Sequence, residues 1–251
     1  MILYINGDSH AAAAEAVNPH AWAEDDGNLW GQGCGPHPDN EAVSFGAVLS
    51  KQLNMPRINQ SQAGGSNPRI LRTTREWLKQ NSGQPVFVLI QWSTWEREEW
   101  LHQGTWYQVN ASGVDLVPPE LNTRYRQYII DVDWVKYTRQ AHEEIWQFHL
   151  ELQQQGIPHL FFNGNSHFGG THEHNKLNVP IIEQQYDWGG AYIDPYTVEK
   201  TYNKVLLNNG FTTVNPNSYH FGADAHRFWA NYVLQYMQDN HFVIGNEIST
   251  D

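Results

Sequence analysis

"ILYINGDSHAAAA", residues 2–14, sets how the rest of the chain is read. Ile2 to Asn6 is a short apolar run stopped by Gly7, the pattern of a strand covered on both faces. Asp8, Ser9 and His10 follow at once, then four alanines. A strand that hands over to polar residues places them at its carboxyl end, the edge where open α/β sheets hold ligands. Ser9 before an alanine run also fits a helix N-cap. The residues at the ends of the other strands separate the two readings.

Further along, Arg57-Ile58-Asn59 reads as a second strand, "VFVLIQ" (86–91) as a third, "HLFFN" (159–163) as a fourth and "FTTV" (211–214) as a fifth. Helical spacing lies between them. One helix follows Asp39 as N-cap, with Ala42, Phe45, Leu49 and Leu53 on one face. A second opens at Pro68 and carries Ile70, Leu71, Trp77 and Leu78. A third runs from Trp134 through Tyr137, Ala141, Ile145, Phe148 and Leu152 to a stop at Gly156. A fourth joins Val198, Tyr202, Val205 and Leu206 before Gly210, and a last one carries Phe228, Tyr232, Val233 and Tyr236. The alternation predicts an α/β fold with a mostly parallel, roughly five-stranded sheet and helices on both faces. One domain over residues 1–251 is expected, with long insertions near 96–133 and 164–195, both leaving strand ends.

The 27 acidic residues against 15 basic ones leave a formal charge of -12, which a phosphate backbone or an anionic membrane surface repels. Nucleic acid and membrane are therefore not expected as partners. Cys34 is the one cysteine, so no internal disulfide forms. No run approaches the roughly 20 apolar residues of a membrane helix, and no signal peptide is seen; a cytoplasmic location is the default expectation. Aromatic content stands out, with 11 Trp, 12 Tyr and 10 Phe. Trp92 and Trp95, with Trp100, Trp106 and Tyr107, gather at the end of the third strand. They form either a local aromatic core or a platform for a sugar ring or acyl chain.

Ser9 stands after the first strand, Gly64-Gly65 after the second, Ser93 and Thr94 after the third, Asn163 and Asn165 after the fourth, and His220 beyond the fifth. A hydroxyl, an imidazole and glycine amides on one sheet edge suit acyl transfer. Serine needs a base to become nucleophilic, and the developing oxyanion needs fixed donors. Glycine lets a backbone N–H approach closely.

These residues resemble the blocks of the SGNH (GDSL-like) hydrolase family. "INGDSH" resembles the first block, in which the serine is the nucleophile. "NQSQAGGSN" (59–67) is similar to the second, with Gly65 matching the oxyanion glycine and Gly64 the alternative. "YHFGADAHRFWA" (219–230) resembles the last, with His220 as base and His226 further along. The resemblance implies a flavodoxin-like three-layer fold and a serine esterase acting on a carboxylic ester, with no cofactor. It implies catalysis by Ser9 and His220, with Asn217 orienting the imidazole, and oxyanion support from Ser9, Gly65 and Ser93. Trp92 and Trp95 are the candidate substrate contacts, and an O-acetylated carbohydrate or a short acyl ester is the favoured substrate.

Two positions depart from the family pattern. "QWSTWER" (91–97) has Ser93 where the family has an asparagine, and Asn217 stands where it has an aspartate, with Asp194 and Asp224 as distant replacements. The alternative is therefore a catalytically silent carbohydrate-binding or structural module of the same fold. His167, His172 and His174 in "HFGGTHEH" suggest a metal, but they share one loop, and "HEEIW" (142–146) lacks the second histidine of a zinc helix. No metal site is expected. The chain has neither a phosphate-binding loop of the G-x-x-x-x-G-K-[ST] type nor a G-x-S-x-G elbow.

Overall fold

The structure is a computed structural model that describes residues 1–21, 35–111, 117–171 and 179–242. Its strands are β1 (Ile2–Asn6), β2 (Arg57–Asn59), β3 (Val86–Trp92), β4 (Glu98–His102), β5 (Thr105–Val109) and β6 (His159–Asn163). Its helices are α1 (Pro38–Val43), α2 (Phe45–Gln52), α3 (Asn67–Gln80), α4 (Asn122–Ile130), α5 (Trp134–Gln154), α6 (Tyr202–Asn208) and α7 (Ala223–Asp239).

Four strands form a parallel sheet in the order β2-β1-β3-β6. Period-two alternation divides their side chains between two cores. Leu3, Ile5, Phe87, Leu89, Leu160 and Phe162 pack with residues of α2, α6 and α7. Tyr4, Val86, Val88, Ile90 and Phe161 pack with residues of α3 and α5. This gives the three layers expected from the alternation of strands and helices. Because both faces are covered, β3 is buried along its whole length and reads as an apolar run interrupted only by Gln91.

The fifth strand differs from expectation. Residues 211–214 stay outside the sheet, and Thr213 makes only an isolated antiparallel bridge to Phe221. Thr212 and Val214 are exposed, so no burial favours pairing there. The sheet edge is extended instead by residues 191–193, inside the segment read as an insertion. Tyr192 bridges Phe161 in parallel, with Phe161 N–H donating to Ala191 O and Ile193 N–H to Phe161 O, each at 2.9 Å. Ala191, Tyr192 and Ile193 are buried, which supplies the driving force.

The helix expected after Asp39 is two helices. His37 caps α1, and Ser44 adopts an extended conformation that ends α1 and begins α2, its hydroxyl accepting from Ala47 N–H at 3.1 Å. The described parts of the 96–133 segment carry a small core of their own: Trp100, Val109, Val117, Tyr125 and Tyr128 pack together between the β4–β5 hairpin and α4. No helix among the described residues is long and apolar enough to cross a membrane.

Candidate active site

The turn after β1 is built around a buried carboxylate. Asp8 Oδ1 accepts from His10 N–H at 3.0 Å, and Oδ2 accepts from the Ser93 hydroxyl at 2.8 Å and the Arg97 guanidinium at 3.3 Å. Burial raises the Asp8 pKa, but the neighbouring His10 and Arg97 charges and these hydrogen bonds outweigh it and hold the carboxyl below its ordinary value. Gly7 is required here because a Cβ would lie 2.7 Å from that of Ala11. No helix follows Ser9. Ala12 N–H donates to Asp8 O and Ala14 N–H to Ser9 O in a compact turn in which Ala13 and Glu15 take left-handed φ values of 53° and 63°. The N-cap reading of Ser9 is thereby replaced.

Ser9 is 8% exposed, and neither its hydroxyl nor its N–H bonds to a group among the described residues. The His220 ring stands 5.7 Å, edge to face, from that of His10, the residue that follows Ser9 in the chain. No Ser9–His220 hydrogen bond forms. His220 Nδ1 lies 2.6 Å from Glu15 Oε2, an oxygen that also accepts from the Ser218 hydroxyl, and Ser218 Oγ accepts in turn from His220 N–H. Burial raises the Glu15 pKa, while the bonds from Ser218 and His220 and the histidine's charge prevail and keep the carboxyl below its usual value.

The carboxylate on His220 is therefore Glu15, and Asn217 is not. Asn217 is exposed, with its N–H bonded to Asn215 Oδ1 in the turn that delivers Ser218 and His220. The sequence reading missed Glu15, which lies 205 residues from its partner. The available signal was an isolated acid in the small apolar run 11–17. A left-handed glutamate is strained, and strain of this kind is retained where the surrounding contacts hold it.

The amides at the other side of the turn also differ from expectation. Gly65 N–H donates to Gln62 O at 2.9 Å and so is not free. Gly64, the alternative, takes φ 77°, and its N–H bonds to no described group. Gly65 serves packing instead, since a Cβ there would meet Gln62 O at 2.9 Å and Gly7 O at 3.2 Å. The Ser93 hydroxyl is committed to Asp8, and Ser93 N–H to Asn67 Oδ1 at 2.8 Å. Trp92 is fully buried against Phe148 and Phe161, so it offers no platform. Trp95 stacks on Phe168 at 4.6 Å and reaches a cavity of about 240 Å³, lined also by Arg97, Trp100, Tyr137 and Glu144.

His10 is buried beneath this rim. Asn203 donates to Asn165 Oδ1, so Asn165 Nδ2 faces His10 Nε2 at 3.0 Å and donates to it, leaving the ring proton on Nδ1. Burial foremost lowers the His10 pKa to about 4, with Asp8 opposing and the His220 and Arg97 charges assisting. His226 is a core residue whose Nδ1 accepts from Phe45 N–H at 3.3 Å. Asp194 caps the Tyr196 N–H and Asp224 pairs with Arg227, so neither serves His220. His172 and His174 lie outside the described residues, and among those described no three His, Cys, Asp or Glu residues stand together as a metal set.

A family of unknown function, DUF6071, matches residues 32–148. No curated protein matches. The chain is similar to solved structures at low identity. One is a lipolytic protein of the G-D-S-L family from Desulfitobacterium hafniense, 12% identical, with 94% of this chain and 98% of that one covered and a TM-score of 0.41. Another is a catalytic mutant of an acetylxylan esterase from Geobacillus stearothermophilus, 12% identical over 98% and 94% of the two chains, TM-score 0.44. A third is an acetyl xylan esterase from Butyrivibrio proteoclasticus, 14% identical, with 96% of this chain but 64% of that one covered and a TM-score of 0.42.

Proposed function

We propose that the chain is an SGNH-type serine esterase in which Ser9 is the nucleophile, His220 the general base and Glu15 the carboxylate that holds the base. The observation that carries this reading is the 2.6 Å contact between Glu15 and His220 Nδ1, formed at the turn that presents Ser9. A carboxylate on Nδ1 keeps the ring proton there and leaves the Nε2 lone pair available. Ser9 Oγ forms a bond to the carbonyl carbon of the ester as its proton passes to Nε2. The tetrahedral adduct then breaks its bond to the leaving alcohol, which takes that proton. Water repeats the sequence on the acyl-serine and releases the acid. The unbonded N–H groups of Ser9 and Gly64 are the donors for the oxyanion. Catalytic hydrogen bonds of this type tighten on substrate binding, and the Ser9–His220 bond is assigned to the loaded state.

The alcohol portion is read as a carbohydrate from the 240 Å³ cavity that Arg97 joins to the turn; Ser9, Glu15 and His220 do not line it. Its wall combines aromatic edges with charged donors and acceptors, and Arg97 ties it to Asp8 and to Gly65 O at 3.3 Å each. An O-acetylated sugar fits this chemistry, and no cofactor is needed for it.

A silent binding module of the same fold is favoured by one observation: Gly65 N–H and the Ser93 hydroxyl are both committed elsewhere. Hydrolysis of p-nitrophenyl acetate by the protein and by Ser9→Ala separates the two readings. The esterase reading expects the variant to fall to the solvent rate; equal rates for both proteins establish the silent module.

A further inference from the structure

Gln62 is fully buried, and neither its amide nitrogen nor its amide oxygen has a hydrogen-bond partner. Buried side-chain amides are nearly always bonded, so an orphaned one needs a reason. Its main chain is clamped: Gln62 N–H donates to Gly7 O at 3.1 Å, and Gln62 O accepts from Gly65 N–H at 2.9 Å. The residue is thereby fixed between the two loops whose unbonded amides, Ser9 N–H and Gly64 N–H, are the proposed oxyanion donors. Ser93, the third donor expected from the sequence, is held by Asp8.

We infer that the Gln62 carboxamide is the third oxyanion donor. This deepens the esterase reading and rests on it. Nε2–H donates to the carbonyl oxygen as negative charge develops there; no covalent bond to Gln62 forms, and its proton is retained. An amide with no bond at rest gives up none when its flexible side chain turns toward the oxyanion. Its interaction is made in the transition state and not in the ground state, and that difference raises kcat and leaves KM alone.

The test compares Gln62→Met and Gln62→Asn with the unaltered protein, using p-nitrophenyl acetate well below the lowest Tm of the set. Methionine fills nearly the same volume without the amide, so Gln62→Met is expected to lose about 10²-fold in kcat at constant KM. Its Tm should stay level or rise, because an unbonded polar group has left the interior. Gln62→Asn keeps a carboxamide in less volume and is expected to retain at least about tenfold more kcat than Gln62→Met. Equal kcat for the two variants, or full kcat in Gln62→Met beside a raised Tm, overturns the inference and leaves the esterase reading standing. A wild-type rate no greater than that of Ser9→Ala removes both.

Discussion

On the α5 face the histidines are packed rings, whereas on the opposite face a packed His226 is accompanied by His220, which is bound to a carboxylate. On the α5 face, His142 stacks on Tyr186 at 4.5 Å, Tyr186 on Trp146 at 4.5 Å, and Trp146 on His149 at 5.0 Å, a column of near-parallel rings. His159 Nδ1–H donates to Ile157 O, so its Nε2 accepts from His149 Nδ1 at 2.8 Å. Among the described residues no carboxylate bonds to any of these three rings. Burial foremost pushes His142 and His149 down to about 4. At the rim of the other face, His220 is partly exposed and bonded to Glu15. The difference between a packing ring and the proposed base is one carboxylate and access to solvent, and residue type alone does not carry it.

The comparison is broken most directly by exchanging roles. His220→Ala is expected to lower kcat by about 10⁴-fold or more with little change in Tm, since the ring is partly exposed and is the proposed base. His142→Ala is expected to keep kcat within a few-fold and to destabilise by about 2–4 kcal/mol in chemical denaturation, because a ring in a dense column leaves a cavity. A stable but inactive His142→Ala, or an active His220→Ala, ends the distinction. Glu15→Gln comes next. It retains the shape but lets the wrong tautomer form, a change that costs serine proteases about 10⁴-fold in kcat, and a loss of about 10²–10⁴-fold is expected from esterase assays across pH.

Acid should act on the packed histidines first. His10, His142 and His149 have folded pKa values near 4 and His226 near 3, against an ordinary 6.5. Between those values the unfolded chain binds protons that the folded one refuses, so stability present above pH 6.5 is lost as pH falls toward about 4. Urea midpoints measured from pH 7.5 to 4.5 should fall, and a flat profile contradicts the assignment. The smallest effect is expected from Asn217→Ala. Its side chain does not hold His220, so kcat should stay within about twofold by the usual insensitivity of exposed sites.

Much of the fold was legible because burial on both faces writes itself as apolar runs: β1, β3 and β6 were each read from such runs. The edge of the sheet was misread because an edge position needs only a few residues. Tyr192 and its neighbours take it through burial, with no strand-length pattern, while the more β-like "FTTV" stays outside the sheet with Thr212 and Val214 exposed. Ser9 and His220 stood out by position relative to strands and by their resemblance to family blocks. Glu15 did not, since a carboxylate meeting its partner across 205 residues leaves no local spacing. Gly65 was preferred over Gly64 in the sequence, and the structure reverses that order, as only backbone geometry decides which N–H stays free. Trp92 shows the reverse limit: its place at a strand end suggested a ligand, and the inward direction of its side chain decided otherwise.

Ser9 and Glu15 ride on the same short turn after β1, whereas His220 arrives on a separate one near the other end of the chain. The proposed nucleophile and the carboxylate proposed to hold the base thus share one carrier, and their alignment with the imidazole reduces to one joint. Any displacement of the 215–220 turn uncouples the imidazole from both companions together, so the machinery is either assembled or disarmed as a unit.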